Sequence, residues 1–119
     1  MLLLGLVLTL APYHGPALSG SVPGTVKFGV RVAGKPHENV DLRSVGLPKD
    51  WIASFCTNKI CAPLRVRLTL PASGAQTIEL QLVSPAPGSR APRDVTVEAA
   101  DGRRATLPYS AGTRDTTSR

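Results

Sequence analysis

The sequence predicts an all-β protein, an immunoglobulin-like sandwich of about seven strands. Apolar residues recur at every second position along most of the chain, as in strands that bury one face. There are 11 glycines and 11 prolines among 119 residues, and both residue types favour turns over helix interiors. The length suits one domain, and an aromatic content of 4% implies a core built mainly of Val, Leu and Ile.

The first segment predicts export. Leu2–Ala11 reads LLLGLVLTLA, an uncharged run about half as long as the ~20 residues of a membrane-spanning helix. It therefore fits the apolar part of a secretory signal peptide and predicts no stable membrane span. The small residues of Ala17–Ser19 suit cleavage before Gly20, so residues 1–19 are expected to be removed. A buried strand or short core helix over Leu2–Leu10 is the alternative.

Three strands are predicted in the first half of the remaining chain. Val26–Val32 alternates apolar side chains with Lys, Gly and Arg. Asn39–Leu47 changes phase near its middle, which indicates a bulge or bend. Trp51–Phe55 is a short strand that leads into a loop closed by cysteines.

The next two strands are predicted to form a hairpin. Leu64–Leu70 alternates most clearly, and Ile78–Leu82 follows after a turn at Pro71–Ala75. Opposed residues in an antiparallel pair share a face, so this hairpin would place Arg67 opposite Glu79 on the solvent side.

The last part of the chain predicts a crossing between sheets and a second hairpin. Ser84–Arg93 is rich in Pro, Gly and Ser, and is long enough to connect two sheets. Val95–Ala99 and Ala105–Tyr109 flank Asp101-Gly102, a sequence that favours a tight hairpin turn. The sandwich is expected over residues 20–110, followed by a disordered tail over Ala111–Arg119.

The two cysteines predict a disulfide in a secreted, periplasmic or cell-surface protein. Cys56 and Cys61 are the only cysteines, and a pair in a short exported chain is normally oxidised. Four residues separate them, whereas a redox motif has two. The closed loop would present Asn58, Lys59 and Ile60 for contact with a partner.

The net charge of +6 gives no specific partner. A basic surface attracts nucleic acid, anionic lipid or acidic polysaccharide, but scattered Lys and Arg also simply keep a domain soluble. Aromatic residues do not alternate with a basic run, so the sequence does not predict a nucleic-acid interface.

No catalytic residues, metal site or cofactor are predicted, so the protein is not expected to be an enzyme. His37 is the one histidine left after the expected cleavage, too few for a triad or a zinc site. Glu79 and Glu98 fall at solvent-facing strand positions, whereas Asp50 and Asp101 fall in turns. Surface roles are therefore expected for these four acids.

A resemblance to a known family rests on three short stretches. Gly46–Trp51, which reads GLPKDW, resembles the L-P-x-x-W stretch of bacterial Ig-like accessory domains. Leu70–Gly74 and Val83–Pro85 resemble strand ends of the same domains, and the resemblance covers Thr25–Leu107. Such domains occur beside glycosidase catalytic domains, including alpha-galactosidases, and in surface proteins. The resemblance implies a sandwich fold and offers no catalytic residues.

Three functions are compatible with these observations. The first is a non-catalytic exported module with a structural, adhesive or protein-contact role. The second is a glycan-binding module, acting through basic strand positions (Lys27, Arg31, Arg65 and Arg67) or through Trp51 as a stacking platform. Packing in the core is the main expectation for Trp51, and sugar stacking is the alternative. The third is a protease inhibitor with Lys59 as its specificity residue. The expected partner is thus an unknown protein or polysaccharide at the cell surface.

Overall fold

The computed structural model describes residues 6–13, 25–57, 60–86 and 88–114. These residues form ten strands and one 3-10 turn (Tyr109–Ala111), arranged as two antiparallel sheets. The predicted all-β sandwich is confirmed. Among the described residues, no helix has the length and hydropathy needed to cross a membrane.

The larger sheet, sheet A, contains in spatial order β1 (Val7–Pro12), β2 (Val26–Ala33), β7 (Ala75–Val83), β4 (Ile52–Cys56) and β5 (Cys61–Pro63), and β10 (Thr113–Arg114) also pairs with β2. Sheet B contains β6 (Arg65–Thr69), β3 (Asn39–Val45), β8 (Asp94–Ala99) and β9 (Arg104–Pro108). Strands β1, β2, β7 and β4 take the places of strands A, B, E and D of an immunoglobulin sandwich. Strands β3, β8 and β9 take those of C, F and G.

The core lies between the two sheets and follows the period-two pattern of the sequence. Phe28 and Val30 of β2 are fully buried, as are Ile78 and Leu80 of β7, with which they pair. Leu42 of β3 contributes to the same core from the opposing sheet. Burying one such side chain stabilises the fold by about 1.5–3 kcal/mol.

The hairpin predicted from Leu64–Leu70 and Ile78–Leu82 does not form. Strand β6 pairs with β3, whereas β7 pairs with β2 and β4, so the turn between them crosses from one sheet to the other. Gly74 takes a φ of 80°, and a Cβ there would lie 2.6 Å from the carbonyl oxygen of Gly34. This close approach at the end of β2 directs β7 along β2, and Arg67 therefore does not face Glu79.

The other two predicted connections are confirmed. The Pro-rich segment after Val83 leads from β7 in sheet A to β8 in sheet B. Strands β8 and β9 form a hairpin around Asp101-Gly102, with Gly102 at a φ of 93°. Positive φ is the conformation that a tight hairpin turn requires and that glycine adopts without strain.

The first segment contributes a strand to this structure. Strand β1 pairs with β2 from Val7↔Ala33 to Pro12↔Phe28, and Leu6 and Leu10 are buried in the core. The alternative interpretation of this apolar run as a strand is right for residues 7–12, but within this strand only Leu10 is buried, and Val7, Thr9, Ala11 and Pro12 are exposed. Residues 1–5 and 14–24, with the expected cleavage site, lie outside the described residues, and cleavage stays a prediction.

The chain also continues in regular structure beyond the expected boundary at residue 110. Thr113 and Arg114 pair with Lys27 and Val26, on the same edge of β2 that β1 covers. Gly112 allows this approach, because a Cβ there would lie 2.4 Å from a methyl carbon of Val26 and 2.6 Å from the Phe28 ring. Ala111–Arg114 thus differs from the expected disordered tail, and residues 115–119 lie outside the described residues.

Candidate functional site

The cysteines close a hairpin at one edge of sheet A. Cys56 and Cys61 form a disulfide and lie opposite each other on β4 and β5. Thr57 N–H donates to the Ile60 carbonyl oxygen at 2.8 Å, and Ile60 N–H donates to Thr57 Oγ1 at 3.3 Å. Asn58 and Lys59, two of the predicted contact residues, lie outside the described residues. The third, Ile60, is 57% exposed.

Exposed apolar side chains are concentrated on this hairpin. Ile52, Ile60 and Leu64 are more than half exposed, and among the described large hydrophobic residues only Val7 shares this property. Leu64 N–H donates to the Ala53 carbonyl oxygen at 2.8 Å, which places Leu64 opposite Ala53 at the open end of the hairpin, whereas Ile60 lies at its turn. We call Ile52, Ile60 and Leu64 the hairpin patch.

Leu64 has an unfavourable backbone conformation for its residue type. Its φ is 68°, in the left-handed region that costs an L-residue roughly 1–2 kcal/mol. Its N–H bonds to Ala53 of sheet A, whereas its carbonyl oxygen accepts from Ser44 N–H of sheet B at 3.1 Å. Leu64 is therefore the point at which the chain passes from β5 to β6. The alternating pattern of Leu64–Leu70 contains no signal for this bend.

Trp51 lies in the core and not at a binding surface. Its indole is 8% exposed and meets the Tyr109 ring edge-on, with 5.6 Å between the ring centroids. A stacking platform for a sugar needs an open aromatic face. The structure therefore supports core packing for Trp51 and does not support sugar stacking.

The four basic residues considered for glycan binding do not share a surface. Lys27 is buried and its Nζ lies 3.4 Å from Glu79 Oε2, on the outward side of sheet A. Arg31 is exposed on the same strand. Arg65 and Arg67 lie on β6 in sheet B.

Glu79 is fully buried, which corrects its expected place on the solvent side. Its Oε1 accepts a hydrogen bond from Gln81 Nε2 at 3.2 Å. Cys56 and Gly29 are its partners on the two neighbouring strands, and a Cβ on Gly29 would meet the Tyr13 ring at 3.6 Å. Burial, and secondly the charge of Glu79, raises the pKa of Tyr13. The alternating pattern of Ile78–Leu82 correctly placed Glu79 on the outer face of sheet A. At Glu79, however, this face is covered by other residues.

The outward surface of sheet B carries the second candidate site. Four guanidinium groups lie there with two carboxylates, Asp41 and Glu98, and all of these residues except Arg104 line a groove of about 480 Å³. We call this surface the arginine face and define it by Arg43, Arg65, Arg67 and Arg104. Cross-strand pairing aligns Arg65, Arg43, Glu98 and Arg104 in one row across four strands.

Ion pairs orient three of these arginines. Arg43 Nε and Nη2 donate to Glu98 Oε1, and Arg104 Nε donates to Glu98 Oε2 at 2.9 Å. Arg67 Nε and Nη2 donate to the two carboxylate oxygens of Asp41 at 2.9 and 3.2 Å. Glu98 is mostly buried beneath its partners, contrary to the expected surface position.

These hydrogen bonds lower the pKa of both carboxyl groups. Donation from Arg43, then from Arg104, holds the pKa of Glu98 below its ordinary value of 4.5. Donation from Arg67 likewise holds the pKa of Asp41 below 3.8. A carboxyl group with a lower pKa in the folded state adds stability above its unfolded pKa, and this is lost as the pH falls through the folded value.

We therefore expect the free energy of unfolding to fall as the pH drops below about 4.5, and Glu98→Gln to reduce this dependence. Glu98→Gln should also lower stability at pH 7, since Arg43 and Arg104 lose their carboxylate. Urea unfolding at pH 7, 5, 4 and 3 measures both effects. Asp94→Asn, an exposed acid on the same strand, is the control. An unchanged pH profile in Glu98→Gln would contradict the assignment.

Within the described ranges, no three His, Cys, Asp or Glu side chains are grouped so that they could hold a metal ion.

The structure thus shows a sandwich with two distinct surfaces, the apolar hairpin patch and the arginine face. Compared with known proteins, the chain matches no family model and no curated protein.

Proposed function

We propose that the protein is a non-catalytic, exported immunoglobulin-like module that contacts another protein through the hairpin patch. The observation that carries this proposal is the concentration of exposed Ile52, Ile60 and Leu64 on one disulfide-closed hairpin. Disulfides persist in oxidising compartments, which supports a secreted, periplasmic or cell-surface location.

Several apolar side chains exposed along one hairpin support protein contact because burying them against a partner is favourable. Exposed apolar patches mark interaction sites, and a few well-buried side chains carry most of the energy of an interface. The disulfide and the Thr57–Ile60 hydrogen bonds hold the hairpin in one shape. A preorganised surface loses less conformational entropy on binding.

The strain at Leu64 supports the same proposal. A bend with positive φ would be more stable with glycine, and an exposed leucine gains little from burial within its own chain. Strained residues persist where a function requires their side chain or geometry. Contact with a partner gives the exposed leucine side chain a role that the fold alone does not.

The contact is expected to involve side chains and not strand addition. Strand β5 is the edge of sheet A, but it has only three residues and ends at Pro63. Proline lacks the N–H that a strand ladder requires, and short edge strands resist pairing with other chains.

Photo-crosslinking in the producing cells can test this proposal. A photoreactive amino acid at Ile60 should give one defined crosslinked protein, whereas the same group at exposed Asp94 on the opposite sheet should not. With the identified partner purified, Leu64→Gly and Ile60→Ser should each weaken binding about tenfold or more. Leu64→Gly relieves the positive-φ strain, so the loss would not come from unfolding. Identical crosslinks from Asp94, or unchanged affinity in both variants, would overturn the proposal.

A further inference from the structure

We propose that the arginine face is a binding site for an acidic polysaccharide, with Arg65 as its central anion-binding residue. This surface belongs to the opposite sheet from the hairpin patch, and the inference does not depend on the protein-contact role. The ligand groups are the carboxylates or sulfates of a linear sugar chain. Both present paired oxygen acceptors that match a guanidinium group.

The first argument is that Arg65 forms no ion pair with a carboxylate of the described chain. Arg65 and Arg43 lie directly opposite each other on β6 and β3, an arrangement of like charges that destabilises a sheet. The Arg43 guanidinium is turned away toward Glu98, and Arg67 is paired with Asp41. Within the described chain, no carboxylate lies within ion-pair distance of exposed Arg65. A bound anion between Arg65 and Arg43 would offset their repulsion.

The second argument is the orientation of the neighbouring donors. Arg43 and Arg67 each bond a carboxylate through Nε and Nη2, which fixes the guanidinium plane and leaves the Nη1 group available. Asp41 and Glu98 thus act as positioning residues. Because there are four guanidinium groups and only two carboxylates, the arginine face keeps an excess of positive charge. The groove of about 480 Å³ is lined by Arg43, Arg65 and Arg67. An anion that enters it meets donors already held in place.

The third argument is the chemistry of the rest of the surface. Thr69 Oγ1 donates to Asn39 Oδ1 at 2.8 Å, and the hydroxyls of Thr96 and Thr106 lie 3.0 Å apart. None of the exposed large hydrophobic residues of the described chain lies on sheet B. Protein interfaces and single-stranded nucleic acids both favour aromatic or apolar anchors. Hydroxyl and amide groups beside arginines instead suit a hydroxylated, anionic sugar chain.

The test measures binding of the whole protein to polymers of defined chemistry. Polygalacturonate presents carboxylates, dextran sulfate presents sulfates, neutral dextran presents neither, and polyglutamate presents carboxylates on a peptide. We expect calorimetric binding to one or both acidic polysaccharides, none to dextran, and weaker binding to polyglutamate. Arg65→Gln should weaken the tighter complex roughly tenfold. The polymer bound more tightly then identifies the anionic group.

Arg31→Gln is the matched control, because it removes the same charge from an exposed position on sheet A. It should change the affinity by less than about twofold, as expected when salt screens a distant charge. Leu64→Gly should leave polysaccharide binding unchanged, which separates this site from the hairpin patch. Absence of binding to both acidic polysaccharides, equal loss in Arg31→Gln, or tighter binding to polyglutamate would overturn the proposal.

Discussion

A chain that begins at Gly20 is expected to unfold at a much lower denaturant concentration than one that retains β1. Removing β1 takes away the buried side chains of Leu6 and Leu10 and uncovers the edge of β2 from Phe28 to Ala33. Two buried leucines contribute roughly 3–6 kcal/mol together. This is a large share of the ~5–15 kcal/mol by which a domain is stable. Guanidinium unfolding followed by circular dichroism measures the difference.

Two substitutions within β1 provide controls for this truncation. Leu10→Asp should reproduce most of the loss, because it places a charge in the core. Val7→Asp, at a position 55% exposed, should change the free energy of unfolding by no more than about 0.5 kcal/mol. If the chain that begins at Gly20 is equally stable, β1 is dispensable and the signal-peptide interpretation is favoured. The intact mass of the exported protein then shows which form the cell produces.

Lys27→Met is expected to destabilise the protein by about 3–5 kcal/mol, because it leaves a buried carboxylate without its ammonium partner. Glu79 has no exposed surface, and Lys27 Nζ lies 3.4 Å from its Oε2. The desolvation of Glu79 is then no longer offset by the Lys27 ammonium group. Urea unfolding at pH 7 measures the loss.

The double variant Lys27→Met/Glu79→Leu should recover much of this stability, since apolar side chains of similar volume often replace a buried ion pair without loss. Arg31→Met is the control: Arg31 is the exposed basic residue four pairs further along β2. It should change stability by no more than about 0.5 kcal/mol. Equal effects of Lys27→Met and Arg31→Met would show that the Lys27–Glu79 pair does not stabilise the fold.

The sequence by itself determined the strands and the local chemistry. Alternation along Val26–Val32 and Leu64–Leu70 predicted β2 and β6, because one-sided burial leaves a period of two in any strand. Asp101-Gly102 predicted its hairpin because the turn needs positive φ at fixed positions. The spacing and number of the cysteines predicted the disulfide. Each of these signals depends only on residues close together in the chain.

Only the tertiary structure decided which strands are neighbours. Strands β6 and β7 are adjacent in the sequence, yet they lie in different sheets, because Gly74 packs against Gly34 and turns the chain. The arginine face exists because β3, β6, β8 and β9 align in one register. Alternation could assign Arg43 and Arg65 to an outward side but could not show that they are opposed.

The sequence also could not show which of the outward-facing side chains are buried. Glu79 and Arg65 occupy equivalent outward positions in their alternating strands, but Glu79 is covered and Arg65 is exposed. In the run that contains β1, leucines at positions 6, 8 and 10 alternate with Val7 and Thr9, but the run is apolar on both sides, so it could be interpreted as a signal peptide or as a strand. A periodic pattern records which way a side chain points. Whether another segment covers it depends on contacts between residues far apart in the chain, which no local pattern contains.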